Sequence, residues 1–342
     1  MPRRRRVSEF EGMAEQAILD LRLCDLDVAV ERSPVAERIQ KVLAELQQRD
    51  LRVKPHFWFS DEWACPDGVV GVSVPFYLAH PRLIALERSH MLEAEGSTRS
   101  DCLRLLRHEL GHAVHNAYGL SRRKEWRTRF GSSARPYPDY YKPNPRSKNF
   151  VLHLPGWYAQ SHPSEDFAET FAVWLRPNSR WTDQYAGWPA YNKLEYVDRL
   201  MAELTQVRPQ PKPRTRPYSL AQLDVTLREH YDQKRAHYVP DAPRTYDDDL
   251  HRLFSTESRH RHRATAASFL RKHRRALVAD VCRFAPDQGP ILEHILDEIR
   301  WRCRELGLRT AGRESALLRD LALVLTKHTF TFGQGGGHWW PV

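Results

Sequence analysis

Residues 108–115 read His108-Glu109-Leu110-Gly111-His112-Ala113-Val114-His115. The fold turns on whether this H-E-x-x-H is a metal motif or a coincidence. On an α-helix, residues i and i+4 lie one turn apart on the same side. Two imidazoles placed that way can take two corners of a tetrahedron at ~2.0–2.1 Å from zinc. Glu109 lies between them around the helix and can reach a metal-bound water without being a ligand. Zinc lowers the pKa of such a water toward ~7, and a carboxylate can take its proton as it attacks a carbonyl. The flanking residues predict a helix beginning near Ser100, with Leu103, Leu106, Leu110, Val114 and Ala117 along one face. His108 and His112 fall on the opposite face, which leaves them to line a cleft. The plain alternative is a surface helix with a satisfied His–Glu pair.

Two histidines need a third ligand. The extended pattern H-E-x-x-H-x-x-G-x-x-H requires glycine at 115 and histidine at 118. This chain has His115 and Tyr118 there, which excludes that class. His115 is too close along the same helix to complete the site, and is expected behind it or at the surface. The best source is HPSEDFAETFAVWL, residues 162–175. Pro163 suits the first turn of a helix. Glu165 and Glu169 are i and i+4 on one stripe, while Phe167, Phe171, Trp174 and Leu175 lie largely on the other side. Glu165 can ligate the metal. Glu169 can orient one histidine through its other ring nitrogen, a partner that metal-bound histidines usually have. Asp166 is expected beside Glu169 behind the ligands, and it and His162 stand in reserve as ligands themselves. The alternative is an ordinary amphipathic helix with solvated acids.

HELGH followed by Glu165-Asp166-Phe167-Ala168-Glu169 resembles the glutamate zincins, in particular the anthrax lethal-factor-type peptidases. The resemblance implies that Glu165 binds zinc. It also implies that Tyr158, seven residues before it in GWYAQSHPSEDFAE, helps to stabilise the oxyanion. More closely, residues from about 55 to 204 resemble a group of bacterial zinc-binding metallopeptidases. HFWFSDEW, PFYLAHPRL, RHELGHAVHNAY, PYPDYY and GWYAQSHPSEDFAETFAVWL carry that likeness. What it implies is an α+β, zincin-like domain: a small mixed sheet, an active-site helix and a glutamate helix. One zinc would be held by His108, His112 and Glu165, with Glu109 as general base and a peptide or protein as substrate. An extended substrate is expected along the sheet edge near residues 72–76. The aromatic loop at 136–150 either walls the cleft or only pins itself to the surface.

The chain has 342 residues, of which 41% are hydrophobic and 11% aromatic, so a core is affordable and global disorder is excluded. No apolar run approaches the ~18–20 residues a membrane span needs. The start, MPRRRRVSEFEGMAEQ, is basic without an apolar stretch, so a cytoplasmic protein is expected. Five cysteines, an odd number with no C-x-x-C, argue against a disulfide framework or a cysteine zinc site. Residues 207–219, VRPQPKPRTRPYS, cannot form a core element and read as an extended linker. The expected organisation is a basic tail and lead-in helix at 1–33, a zincin-like domain at 34–206, that linker, and a basic all-α accessory domain at 220–342. Inside the second of these, helices are expected at 34–50 and 193–204 and strands at 51–60 and 68–80, with Pro55 marking the first as an edge strand or an interrupted one.

The net charge of +10 sits mainly in the arginines at 3–6 and in the C-terminal third, including RHRHR at 259–263 and RKHRR at 271–275. These stretches admit an acidic partner or a nucleic acid, against the plainer reading of a solvated basic face. No membrane partner is expected. A second functional class is therefore a non-catalytic nucleic-acid- or partner-binding protein whose zincin-like domain is structural. Glu109 separates the two classes, because only hydrolysis uses it.

Overall fold

A computed structural model describes residues 5–91, 93–238, 244–283, 285, 288–333 and 340–341. Arginines 3 and 4 of the basic tail and residues 334–339 of the glycine-rich tail lie outside the described residues. In chain order the helices are α1 (Glu15–Leu19), α2 (Val35–Gln48), α3 (Pro81–Met91), α4 (Arg99–Tyr118), α5 (Lys124–Phe130), α6 (Pro163–Leu175), α7 (Trp181–Gln184) and α8 (Ala190–Leu204). They continue as α9 (Leu227–Tyr238), α10 (Asp247–Leu253), α11 (Ala266–Cys282), α12 (Gly289–Glu305) and α13 (Glu314–Thr331). Short strands are β1 (Arg5–Arg6), β2 (Leu26–Asp27), β3 (His56–Ser60), β4 (Gly71–Pro75), β5 (Tyr140–Tyr141), β6 (Phe254–Ser255), β7 (Arg309–Thr310) and β8 (Trp340–Pro341). The result is a helix-rich mixture with little sheet. The chain forms two compact units: one comprises Met1–Asp139 and Ser147–Arg235, the other Tyr140–Arg146 and Ala236–Pro341.

In the first unit, α2 buries Ile39, Val42 and Leu46, the helical stripe its sequence predicts. β3 starts directly after Pro55, whose missing N–H cannot join a ladder. It pairs in parallel with β4, His56 opposite Gly71 and Ser60 opposite Pro75. At Ser73 the sheet edge expected to receive substrate is already paired. The chain turns back after β3, and Ser73 N donates to Ala64 O at 2.8 Å while Ser73 Oγ donates to Glu62 O at 2.9 Å. Phe76 to Ala79 are also buried and form a 3-10 turn rather than more strand. The Pro/Arg-rich segment is extended, and β3 side chains hold its backbone. His56 Nε2 donates to Thr215 O at 2.6 Å, Trp58 Nε1 to Pro217 O at 3.0 Å and Ser60 Oγ to Tyr218 O at 2.6 Å. The division between units accordingly comes later, at Arg235–Ala236.

α4 opens on Thr98, whose hydroxyl accepts from Asp101 N, and closes on left-handed Gly119, whose N–H bonds His115 O. Leu103, Leu106, Leu110, Val114 and Ala117 are all buried. Helix α6 packs against the opposite face, so His108 is 3% and Glu109 7% exposed, while the His112 side chain keeps 14% of its surface. Gly111 permits the crossing: a Cβ there would lie 2.8 Å from Ala168 Cα. On its far side α6 meets α8, which buries Leu194, Val197, Leu200 and Leu204.

The second unit packs α10 to α13 around Leu292, Ile295, Ile299, Leu321 and Leu325. It is not purely helical, because β6 pairs with β7 and β5 with β8 in two-residue antiparallel ladders. Part of its positive charge is neutralised locally. Arg274, inside RKHRR, bonds Glu293 Oε2 and Asp297 Oδ1 at 2.6 Å each, and Lys272 reaches Glu314 at 3.1 Å. No described helix in the chain is long and apolar enough to cross a membrane.

Candidate metal centre

Two helices supply the centre. One turn of α4 presents His108 and His112, and the first two turns of α6 present Glu165 and Glu169. His108 Nε2 lies 3.0 Å and His112 Nε2 3.2 Å from the same oxygen, Glu165 Oε2. The two imidazole nitrogens are 3.2 Å apart. The potential ligand atoms of all three residues fall within 4.8 Å of one another, and they form one metal-capable cluster of described residues.

The surroundings dictate which atoms face inward. Glu169 is 0% exposed, and its Oε2 accepts Leu154 N at 2.7 Å. Its Oε1 is 2.8 Å from His108 Nδ1, which therefore donates. A neutral His108 so fixed turns the lone pair of Nε2 toward Glu165 Oε2 and His112 Nε2. Three potential ligand atoms then converge on one point, an arrangement that could hold a cation. Two imidazoles and a carboxylate suit zinc. Beside them, buried Glu109 carries an oxygen, Oε2, with no hydrogen-bond partner. The residues thus fit a zinc ion with a water at its open position.

The electrostatics agree. Burial alone would raise Glu165, but the charge of His112 and the hydrogen bonds of both histidines hold its carboxyl well below the usual range. Burial alone would lower His108, and its bonds to Glu165 and Glu169 outweigh this, so the site favours a cation there. Glu109 is pushed up by burial, against the pull of the two histidines.

The other expected residues separate clearly. Tyr158 lies at the centre, its ring 5.7 Å from that of His108. It sits in the turn Pro155–Gln160, where Gly156 (φ 74°) and Trp157 (φ 56°) are left-handed. Asp166 faces away and pairs with Lys193 of α8 at 2.6 Å; burial raises its carboxyl to about 7. His162 is the N-cap of α6: Nδ1 accepts Ser164 N at 3.1 Å and Nε2 donates to Arg135 O at 2.8 Å. Both nitrogens are engaged away from the metal-capable point. His115 is half-buried. Its ring lies 5.2 Å from that of Trp126 and 5.8 Å from that of Phe167, and burial lowers it to about 4.

One participant had no sequence signal of its own. Tyr137, in the aromatic loop, donates its hydroxyl to Glu165 Oε1 at 2.7 Å. Its ring stacks on His162 with centroids 3.8 Å apart. The density of aromatics at 136–141 and the place of PYPDYY in the metallopeptidase likeness pointed toward this loop, though not to Tyr137.

Residues 87–186 match the family described as "Putative zinc-binding metallo-peptidase". That span holds α4, α6, the Tyr137 loop and the Tyr158 turn. A search of curated proteins and one of solved structures found no match.

Proposed function

We propose that the protein is a zinc-dependent peptidase of the glutamate-zincin type, with His108, His112 and Glu165 as ligands and Glu109 as general base. The observation that carries this is the convergence of His108 Nε2, His112 Nε2 and Glu165 Oε2 beside the unpartnered buried oxygen of Glu109. The match of residues 87–186 to a zinc-binding metallopeptidase family supports the same reading. Zinc, when bound, polarises a substrate carbonyl and acidifies a water. Glu109 takes a proton from that water on Oε2 as the water oxygen adds to the peptide carbonyl carbon. It returns the proton to the amide nitrogen as the C–N bond breaks, leaving a carboxylic acid and an amine, between which a proton then passes to give a carboxylate and an ammonium. Glu169 keeps His108 in the tautomer that turns Nε2 inward. The Tyr158 hydroxyl donates to the carbonyl oxygen as it gains charge. A structural scaffold would have no use for a buried carboxylate with an idle oxygen next to the ligands.

The test is cleavage of a peptide library by wild type and Glu109→Gln, each with its zinc content measured. Both should hold zinc, and the variant should lose about 10²–10⁴-fold in rate, the range for removing a general base. Equal turnover by the zinc-loaded variant would overturn the mechanism. A zinc-loaded wild type that cleaves no peptide would overturn the activity.

A further inference from the structure

We propose that Tyr137 is a positioning residue that makes Glu165 a one-oxygen ligand and so keeps a coordination position open for water; this rests on the zinc reading above. A carboxylate can meet a metal through one oxygen or both. In Glu165 the two oxygens have different neighbours. Oε2 faces both imidazole nitrogens, at 3.0 and 3.2 Å. Oε1 accepts the Tyr137 hydroxyl at 2.7 Å. To bring Oε1 onto the metal as well, the carboxylate must turn about its own axis and give up that hydrogen bond. Glu165 is 4% exposed, so little water is at hand to replace it.

Tyr137 itself is held from behind. Its ring lies on His162 at 3.8 Å and 21°. Each nitrogen of His162 is tied to backbone, to Ser164 N and to Arg135 O. The first turn of α6 therefore fixes His162, His162 fixes the tyrosine ring, and the tyrosine hydroxyl fixes the carboxylate. Both ends of this chain lie on α6, so it orients Glu165 without relying on the loop backbone alone. A catalytic zinc keeps three protein ligands and one open position. A second carboxylate oxygen would compete for that position.

Tyr137→Phe is the incisive variant. It keeps the ring and the stack on His162 and removes only the O–H. The readout is the visible spectrum of the cobalt(II)-substituted full-length protein, which reports coordination number whether or not the protein is active. Wild type should give the strong absorption of four-coordinate cobalt. Tyr137→Phe should give the several-fold weaker absorption of a higher-coordinate ion, with zinc affinity reduced about 10–100-fold, as is usual when the partner of a ligand is lost. Circular dichroism checks that the variant is folded. His162→Asn, which keeps a capping side chain but removes the stacked ring, should shift the spectrum the same way by a smaller amount. A four-coordinate wild type with an identical spectrum and affinity in folded Tyr137→Phe would overturn this role and leave the zinc reading standing. A wild type that binds no cobalt or zinc would overturn both.

Discussion

Gly111→Ala separates two opposite expectations. Helix propensity alone says that alanine inside α4 should stabilise by roughly 0.5–1 kcal/mol. The crossing of α4 and α6 says the reverse. The new Cβ would sit 2.8 Å from Ala168 Cα, 3.1 Å from its carbonyl oxygen and 3.2 Å from its Cβ. Ordinary contact begins at 3.4 Å, so α6 must retreat by about 0.6 Å. The obstacle is helix backbone, which cannot swing aside as a long side chain can. Overpacking of this kind costs typically ~1–3 kcal/mol, leaving a net loss of about 1 kcal/mol after the propensity gain. The larger effect falls on the centre. Ala168 lies one turn from Glu165, and zinc–ligand distances tolerate only about 0.2 Å. A 0.6 Å retreat of α6 should therefore weaken zinc binding by about 10-fold or more. Competition with a chromophoric chelator measures the affinity, and thermal unfolding in excess chelator measures the fold without its metal. A variant as stable as wild type or more so, with unchanged zinc affinity, would refute the close crossing.

Glu169→Gln should weaken zinc binding about 10–100-fold in the same chelator competition, because the amide no longer supplies an anionic acceptor to His108 Nδ1; unchanged affinity would contradict the role given to Glu169. His115 should make stability fall with pH. Its folded pKa, about 4, lies below the ~6.5 of an unfolded histidine, so the unfolded chain binds the extra proton. Its neutral form contributes no penalty above ~6.5, and stability is lost as pH falls toward 4, by about 2 kcal/mol between pH 7.5 and 5. Relative to wild type, His115→Phe should gain that amount over this interval in chelator-treated denaturant titrations, and a pH-independent difference would contradict it.

The helices that carry the centre were legible because they are long and periodic. Leu103, Leu106, Leu110, Val114 and Ala117 define the inner face of α4, and the spacing of Glu165 and Glu169 defines the polar stripe of α6. The covering of the histidine face was not legible. A polar stripe tells which side of a helix differs, not whether another helix lies on it. The small residues that allow the contact, Gly111 and Ala168, look like any others in a one-dimensional reading. Asp166 illustrates the same limit: it shares a helical turn with Glu165, but its partner Lys193 belongs to α8. Irregular segments were the least legible. Tyr137 acts from a loop without a period, and the strand edge at Ser73 is covered by a single bridge to Ala64. The Pro/Arg-rich segment showed its extended form in its composition, but not its capture by His56, Trp58 and Ser60. The short α5 had too few turns to show a stripe, although it buries Trp126 and Phe130.

The most direct test of the account is zinc titration of the metal-stripped full-length protein, wild type beside Glu165→Ala. Wild type should bind one equivalent tightly, and the variant should lose that tight binding. A wild type that binds no zinc, or a Glu165→Ala protein that binds it as tightly as wild type, would contradict the centre formed by His108, His112 and Glu165.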